Sequence, residues 1–312
     1  MADKEMRAVL ADILLEMMSA NKKIVVIDAD LARANGTLAL RKEFPERALD
    51  VGVAEQNMAS VAAGMAACGA IPFISSFTPF ATRRICDQVA ISIAYAKRNV
   101  KIIGTDPGIA AELNGATHMS VEDLGVLRSI PDLVLIEPVD DVQLRKMMPK
   151  IAEYDGPVYV RLFRKVADRV FDENNYEFDM FHADKITEGK DVTLFASGIM
   201  VHESLQAVSM LKEQNIEAEL VNIHTIKPID EEAILASAKK TGAVVTCENH
   251  NVIGGLGSAV AEVLVRNYPV PVEMIGIQDR FGQVGKLPFL KEEYGMTAES
   301  IVKAAKKVLA RK

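Results

Sequence analysis

Lys23-Ile-Val-Val-Ile-Asp28 is a short apolar run closed by charged residues at both ends, with no alternation of polar and apolar positions. Unbroken runs of this length suit strands buried on both faces, the condition of a parallel sheet covered by helices. Similar runs recur at residues 71–75, 100–104, 133–137 and 158–162, separated by stretches of helical period at 5–21, 54–69 and 80–97. The run at 158–162 is expected to end this first sheet. Residues 166–190 are rich in Asp, Glu, Asn and aromatic side chains and lack periodicity, so they read as an ordered linker. A second series comes after it, with strands expected at 192–196, 217–222, 243–247 and 272–277 and helices at 202–214, 231–240, 257–267 and 298–310. The expectation is an α/β protein of two doubly wound domains with mostly parallel sheets, residues 1–180 (166–189 as linker) and 190–312.

The turn after the first strand narrows the other readings of two open α/β sheets. A dinucleotide fingerprint needs a glycine-rich turn there; the turn is Asp28-Ala-Asp-Leu-Ala-Arg33, and no Walker loop occurs in the chain. The one glycine cluster, Gly254-Gly255-Leu256-Gly257, is either an anion nest or a tight turn. With 312 residues and a formal net charge of −7, the chain can bury two cores and presents no basic footprint for nucleic acid or an anionic membrane. Its apolar runs are too short to span a bilayer and no targeting segment is visible, so a soluble, cytoplasmic protein is expected. Cys68, Cys86 and Cys247 are too scattered for a disulfide framework or a zinc site and read as reduced core thiols.

Three segments carry candidate chemistry. In Asp50-Val-Gly-Val-Ala-Glu55-Gln-Asn-Met58 a glutamate opens a helix of small residues, either as an acid favoured by the helix dipole or as a functional group. In Ser75-Ser-Phe77-Thr-Pro-Phe80-Ala-Thr-Arg83 two phenylalanines flank a strand-to-helix turn, as core or as the wall of a flat pocket. Gly104-Thr-Asp106-Pro-Gly-Ile-Ala-Ala-Glu112-Leu-Asn114-Gly-Ala-Thr-His118 is a long polar loop after a buried strand, where open α/β sheets bind ligands.

Together these segments resemble the pyrimidine-binding domain of transketolases, 1-deoxyxylulose-5-phosphate synthases and the β subunits of 2-oxo acid dehydrogenases. The resemblance implies thiamine diphosphate as cofactor. It makes Glu55 the acid that hydrogen-bonds the aminopyrimidine and activates the cofactor, with Phe77 and Phe80 flanking the ring and Asp30 close by. Arg83 stands where a tyrosine is common in that aromatic set. His118 is implied to contact the donor ketose and help proton transfer, Asn114 to read a sugar hydroxyl in place of an aspartate, and Arg164 of Arg161-Leu-Phe-Arg164 to grip a substrate phosphate. In Asp30-Leu-Ala-Arg33-Ala-Asn35, Arg33 is implied as a second phosphate contact, while Ala34 replaces a serine. Asp106 replaces a histidine of the phosphate end, and an acid there repels phosphate.

The likeness extends over the whole chain. Ile223-His-Thr-Ile-Lys-Pro-Ile-Asp230 and Cys247-Glu-Asn-His250 look like the family's C-terminal domain, so Lys227 and His250 read as interface or structural residues. The Gly-Asp-Gly motif that holds the metal and diphosphate in this family is absent; Tyr154-Asp155-Gly156-Pro157 leads into a strand instead. The resemblance therefore implies the C-terminal subunit of a split transketolase, moving a two-carbon ketol unit between sugars and carrying no metal ligands itself. An N-terminal partner would supply the diphosphate-binding domain and hold Mg²⁺ or Ca²⁺. A heterotetramer of two plus two subunits is expected, active only when assembled, with the small-residue helix at 54–69 serving the interface. The alternatives are a 2-oxo acid dehydrogenase β subunit and a non-catalytic assembly subunit of the same fold; a flavodoxin-like carrier predicts bound flavin.

Overall fold

A computed structural model describes residues 4–312. Strands β1 (Ile24–Asp28), β2 (Ala48–Asp50), β3 (Ile71–Phe77), β4 (Lys101–Thr105), β5 (Val134–Ile136) and β6 (Val158–Leu162) pair in parallel. Downstream lie β7 (Asp184–Thr187), β8 (Val192–Ala196), β9 (Ala218–Asn222), β10 (Thr225–Lys227), β11 (Val244–Asn251) and β12 (Val272–Ile277). All of these but β10 form a second sheet, in the order β12-β11-β8-β9-β7, with β7 antiparallel. β1, β4, β6, β8 and β9 are buried at every position, so their apolar residues do not alternate with exposed polar ones, and charged residues among them such as Lys101, Arg161 and Glu219 are buried too. The chain is thus α/β, in two domains with mostly parallel sheets. Among the described residues no helix is long and apolar enough to cross a membrane.

The first sheet does not end at β6. Its order is β10-β5-β6-β4-β3-β1-β2, so β6 is interior and β10, from the second half of the chain, forms an edge. Thr225 pairs with Ile136 and Lys227 with Leu135, antiparallel. The Lys227 ammonium donates to the carbonyls of Arg128 (2.9 Å) and Ile130, pinning that edge, a structural role.

Helix Glu55–Ala67 buries Met58, Ala59, Ala62 and Ala63 against the sheet, and its small side chains allow close approach. Its other side, with Gln56, Asn57, Ser60 and Gly64, is exposed and polar or small rather than apolar. Residues 80–97 are not one helix. A short turn of helix, Thr78–Ala81, is broken at Thr82, and a tight turn Arg83–Ile85 leads to a π-helix Gln88–Tyr95. That break turns Arg84 back toward Glu55.

The domains meet across a buried ionic seam. Arg161, on β6 and fully buried, donates to Asp123 through Nε (2.8 Å), to Glu137 through NH1 (2.8 Å) and to the Asn249 carbonyl through NH2 (2.6 Å). Ser197 of the second domain donates to Glu137 (2.8 Å). The glycine cluster is filled from within: the buried Glu248 carboxylate accepts from the N–H groups of Leu256 (2.6 Å) and Gly257 (2.8 Å) at the start of helix Leu256–Asn267. A Cβ at Gly255 would lie 1.9 Å from Glu248 Oε2, so only glycine fits. The nest serves the chain's own acid. Burial pushes the Glu248 carboxyl up to about 8 and the Cys247 thiol up to about 12. Cys68, expected in a core, is exposed instead, because it falls just past the end of helix Glu55–Ala67.

Candidate active site

The C-terminal ends of β1, β3, β4 and β6 open onto one face, the position where parallel sheets place ligands. Glu55 enters it as the first residue of its helix, after a turn in which Gly52 takes φ +76°. Its side chain is 5 % exposed and accepts a hydrogen bond from Arg84 NH1 at 2.6 Å. The Arg84 guanidinium lies 3.8 Å over the ring of Phe80. Phe80 and Phe77 are 6.1 Å apart between ring centres, and His118 packs edge-on against both, at 5.3 and 5.7 Å. His118 Nδ1 shares a hydrogen bond with Thr117 Oγ1 (2.9 Å).

At the far end of this wall Arg164 lies 4.6 Å over Phe77. Its Nε and NH2 donate to Asp106 Oδ2 (2.6 and 2.5 Å), its backbone N–H donates to Asp106 Oδ1 (3.0 Å), and NH1 donates to the Ala34 carbonyl (3.0 Å). Asp106 takes φ +52° at the end of β4 and is 2 % exposed. Burial pushes its carboxyl up, and Arg164 pulls the other way.

Two site residues carry no sequence signal. Arg84 shows its role only through its contacts. Arg7 donates from its backbone to the Arg164 carbonyl (3.1 Å) and from NH1 to the Ala34 carbonyl (3.1 Å), so two arginine forks converge on one oxygen. Gly36 (φ +87°) makes this approach possible, since a Cβ there would sit 2.6 Å from the Arg7 carbonyl oxygen.

Of the expected residues, Phe77, Phe80, His118 and Arg164 come together, and Glu55 joins them through Arg84. Asp30 (φ +61°) and Arg33 are exposed, Asp30 donating its N–H to Asp50. Arg83 turns away to pair with Glu122. Asn114 is exposed and donates to the Ala111 carbonyl (3.0 Å).

Below the wall, Thr105 donates to Asn35 Oδ1 (3.0 Å), and Asn35 and Thr37 donate to Asp28, whose carboxyl burial raises to about 6. The second domain holds the loop above. Asn249 accepts from the Ile109 N–H (3.0 Å) and donates to the Pro107 carbonyl (2.8 Å), and Gly108 (φ +54°) leaves no room for a side chain against it. His250 is fully buried and accepts the Gly125 N–H at 3.3 Å, a structural position.

A half-buried aromatic wall beside a buried carboxylate fits a flat heteroaromatic ring that offers a hydrogen-bond donor. The charge pattern at the other end fits a small polar or anionic terminus.

The sequence pattern of the transketolase pyrimidine-binding domain matches residues 2–168, and that of the transketolase C-terminal domain matches residues 182–301. A 6-deoxy-6-sulfo-D-fructose transketolase subunit from Clostridium sp. is 54 % identical over 98 % of this chain and 95 % of its own length. A putative transketolase C-terminal section from Methanocaldococcus jannaschii is 43 % identical over 96 % of this chain and 95 % of its own. A solved structure described as a split gene transketolase, inactive beta4 tetramer, superposes with TM-score 0.89, 43 % identity and 98 % coverage of both chains. The chain belongs to the transketolase family, as a C-terminal subunit of the split type. Membership in this family implies thiamine diphosphate. The 1-deoxy-D-xylulose-5-phosphate synthase of Geobacter sulfurreducens, 36 % identical, is matched over only 48 % of its length, since this chain corresponds to half of such a protein.

Proposed function

We propose that the chain is the cofactor-activating and sugar-reading half of an enzyme that transfers a two-carbon ketol unit from a ketose to an aldose. The observation that carries this reading is the buried Glu55 carboxylate at one end of the Phe77–Phe80–His118 wall. Thiamine diphosphate, when bound, supplies the nucleophilic carbon that takes up the ketol fragment. Glu55 would share a proton with the cofactor ring through its carboxylate, whose Oε1 also accepts from Arg84, and its burial keeps water from competing for that proton. Phe77 and Phe80, which carry Arg164 and Arg84 over their rings, would flank the cofactor ring. His118, half-buried with a second ring nitrogen not bonded to Thr117, hydrogen-bonds sugar oxygens and moves a proton there. Arg164 and Arg7 hold the far end of the sugar. In this reading Asp30 and Arg83 serve the cofactor and Arg33 and Asn114 the sugar, with Arg83 leaving its pairing with Glu122 to do so.

The metal and diphosphate belong in this reading to an N-terminal partner with a Gly-Asp-Gly loop, in an assembly of two plus two subunits in the cytoplasm. The solved split-gene relative, described as an inactive beta4 tetramer, supports that dependence. The test is reconstitution with a Gly-Asp-Gly partner, thiamine diphosphate and Mg²⁺, assayed for ketol transfer. Sulfonated ketoses belong in the donor set, given the substrate in the name of the Clostridium relative. Transfer that appears only in the assembled complex and disappears in Glu55→Ala is the expected result. Turnover by this chain alone, or by Glu55→Ala at near-normal rate, sinks the proposal.

A further inference from the structure

The cations at the Arg164 end of the wall are already matched by acids of the same chain. Arg164 is held through Nε and NH2 by Asp106, at 2.6 and 2.5 Å. Arg7 is held through Nε by Glu5 at 2.6 Å, and Lys165 beside them pairs with Glu112. Burial decides which pair matters most. The side chains of Arg164 and Asp106 are only 13 % and 3 % exposed, whereas those of Arg7 and Glu5 are 35 % and 42 % exposed and well screened. Arg33, exposed and without an ion pair among the described residues, is screened by water too.

The forks still have hydrogen bonds to give. A guanidinium carries five N–H donors, and Arg7 NH2 has no partner among the described residues, while Arg7 and Arg164 share the Ala34 carbonyl. This end is therefore rich in donors and poor in net positive charge. An oxyanion with one charge finds the donors it needs. A second charge on the same group meets Asp106 just behind Arg164, and among the described residues the one well-buried cation at this end, Arg164, is already paired with that acid.

We infer that this end of the site selects a ketose ending in a singly charged oxyanion, a sulfonate, over the same ketose ending in a dianionic phosphate, and that Asp106 sets the choice. The inference rests on the ketol-transfer reading for its sugar. Asp106 acts without touching the reacting carbons, so it is a specificity-determining residue, not a catalytic one.

The test uses the complex reconstituted with a Gly-Asp-Gly partner and thiamine diphosphate. Its probes are 6-sulfo and 6-phospho hexitols, which lack the ketone and do not turn over. Calorimetry near pH 8, where a phosphate monoester with its second pKa of about 6 is a dianion, reads the choice of terminus without catalysis. The wild-type complex is expected to bind the sulfonate about tenfold more tightly. Asp106→Asn, whose side chain also tolerates the positive φ, is expected to raise phosphate affinity about tenfold and to move sulfonate affinity less than about twofold. Asp106→Ser, a second removal of the charge, should shift the ratio the same way. Wild type preferring the phosphate, or binding neither probe, overturns the inference. So does an unchanged ratio in either variant that retains the wild-type Tm. Discrimination between the probes without ketol transfer from any ketose supports this inference and counts against the proposed reaction.

Discussion

Arg161 and Arg164 stand three residues apart around the end of β6, and the molecule uses them in opposite ways. Arg161 is fully buried, satisfied by two carboxylates and a carbonyl, and ties the two domains together. Arg164 has one buried acid, lies on an aromatic face and reaches solvent. Similar chemistry thus becomes scaffold in one place and recognition surface in the other. The difference is made by how many anions surround the guanidinium and whether water or a ligand can reach it. Substitutions at the seam should cost stability and spare function; substitutions along the wall should cost function and spare stability.

The largest effect is expected at the wall's acid. Glu55→Ala should lower turnover of the reconstituted complex by about 10³-fold or more, the upper range for a proton-handling group, while size-exclusion chromatography shows normal assembly. At the seam, Arg161→Met leaves Asp123 and Glu137 buried without their cation, and chemical denaturation should record a loss of about 3–5 kcal/mol. Survival of Arg161→Met with full stability would erase the distinction between the two arginines. Arg164→Ala should raise KM for ketoses with an anionic end about 10–100-fold with kcat nearly unchanged, from lost charge-assisted hydrogen bonds; steady-state kinetics on charged and uncharged donors separates the two parameters. Arg84→Ala should lower cofactor affinity and turnover about tenfold for every donor alike, a pattern that sets the Glu55 end apart from the Arg164 end.

The smallest effect concerns pH. Burial raises the Glu248 carboxyl from its ordinary 4.5 to about 8, so between those values the folded chain keeps a proton that the unfolded chain has released. The stability tied to that proton is fully present below pH 4.5 and is lost as pH rises through about 8. Glu248→Gln should flatten this slope in thermal melts taken across the range, with no change in donor preference.

The main strands are legible because burial on both faces leaves mostly apolar runs without polar alternation, as at Ile24–Asp28. The short strands Ala48–Asp50 and Thr225–Lys227 are not, since three residues show no period. The helices Asp123–Arg128, Asp141–Glu153 and Leu287–Glu293 were also missed. One helix at 80–97 is not formed because the break at Thr82 is a backbone event that the apolar periodicity of the stretch does not show. Glu55, Phe77, Phe80 and His118 stand out in the sequence through the resemblance of their segments to the family, since their place after strands alone leaves a structural reading open for each. Arg84 and Arg7 escaped because a guanidinium declares itself only through what folds against it. From the sequence Asp106 reads as a residue that repels phosphate; its pairing with Arg164 adds a neutralised cation to that reading.

The crossing of Thr225–Lys227 into the first sheet sets an order of events during synthesis. Until the ribosome has delivered residue 227, β5 is an open edge able to pair with any passing strand. A chain cut in the linker would leave that edge exposed, so the first sheet is completed only by the second half of the chain.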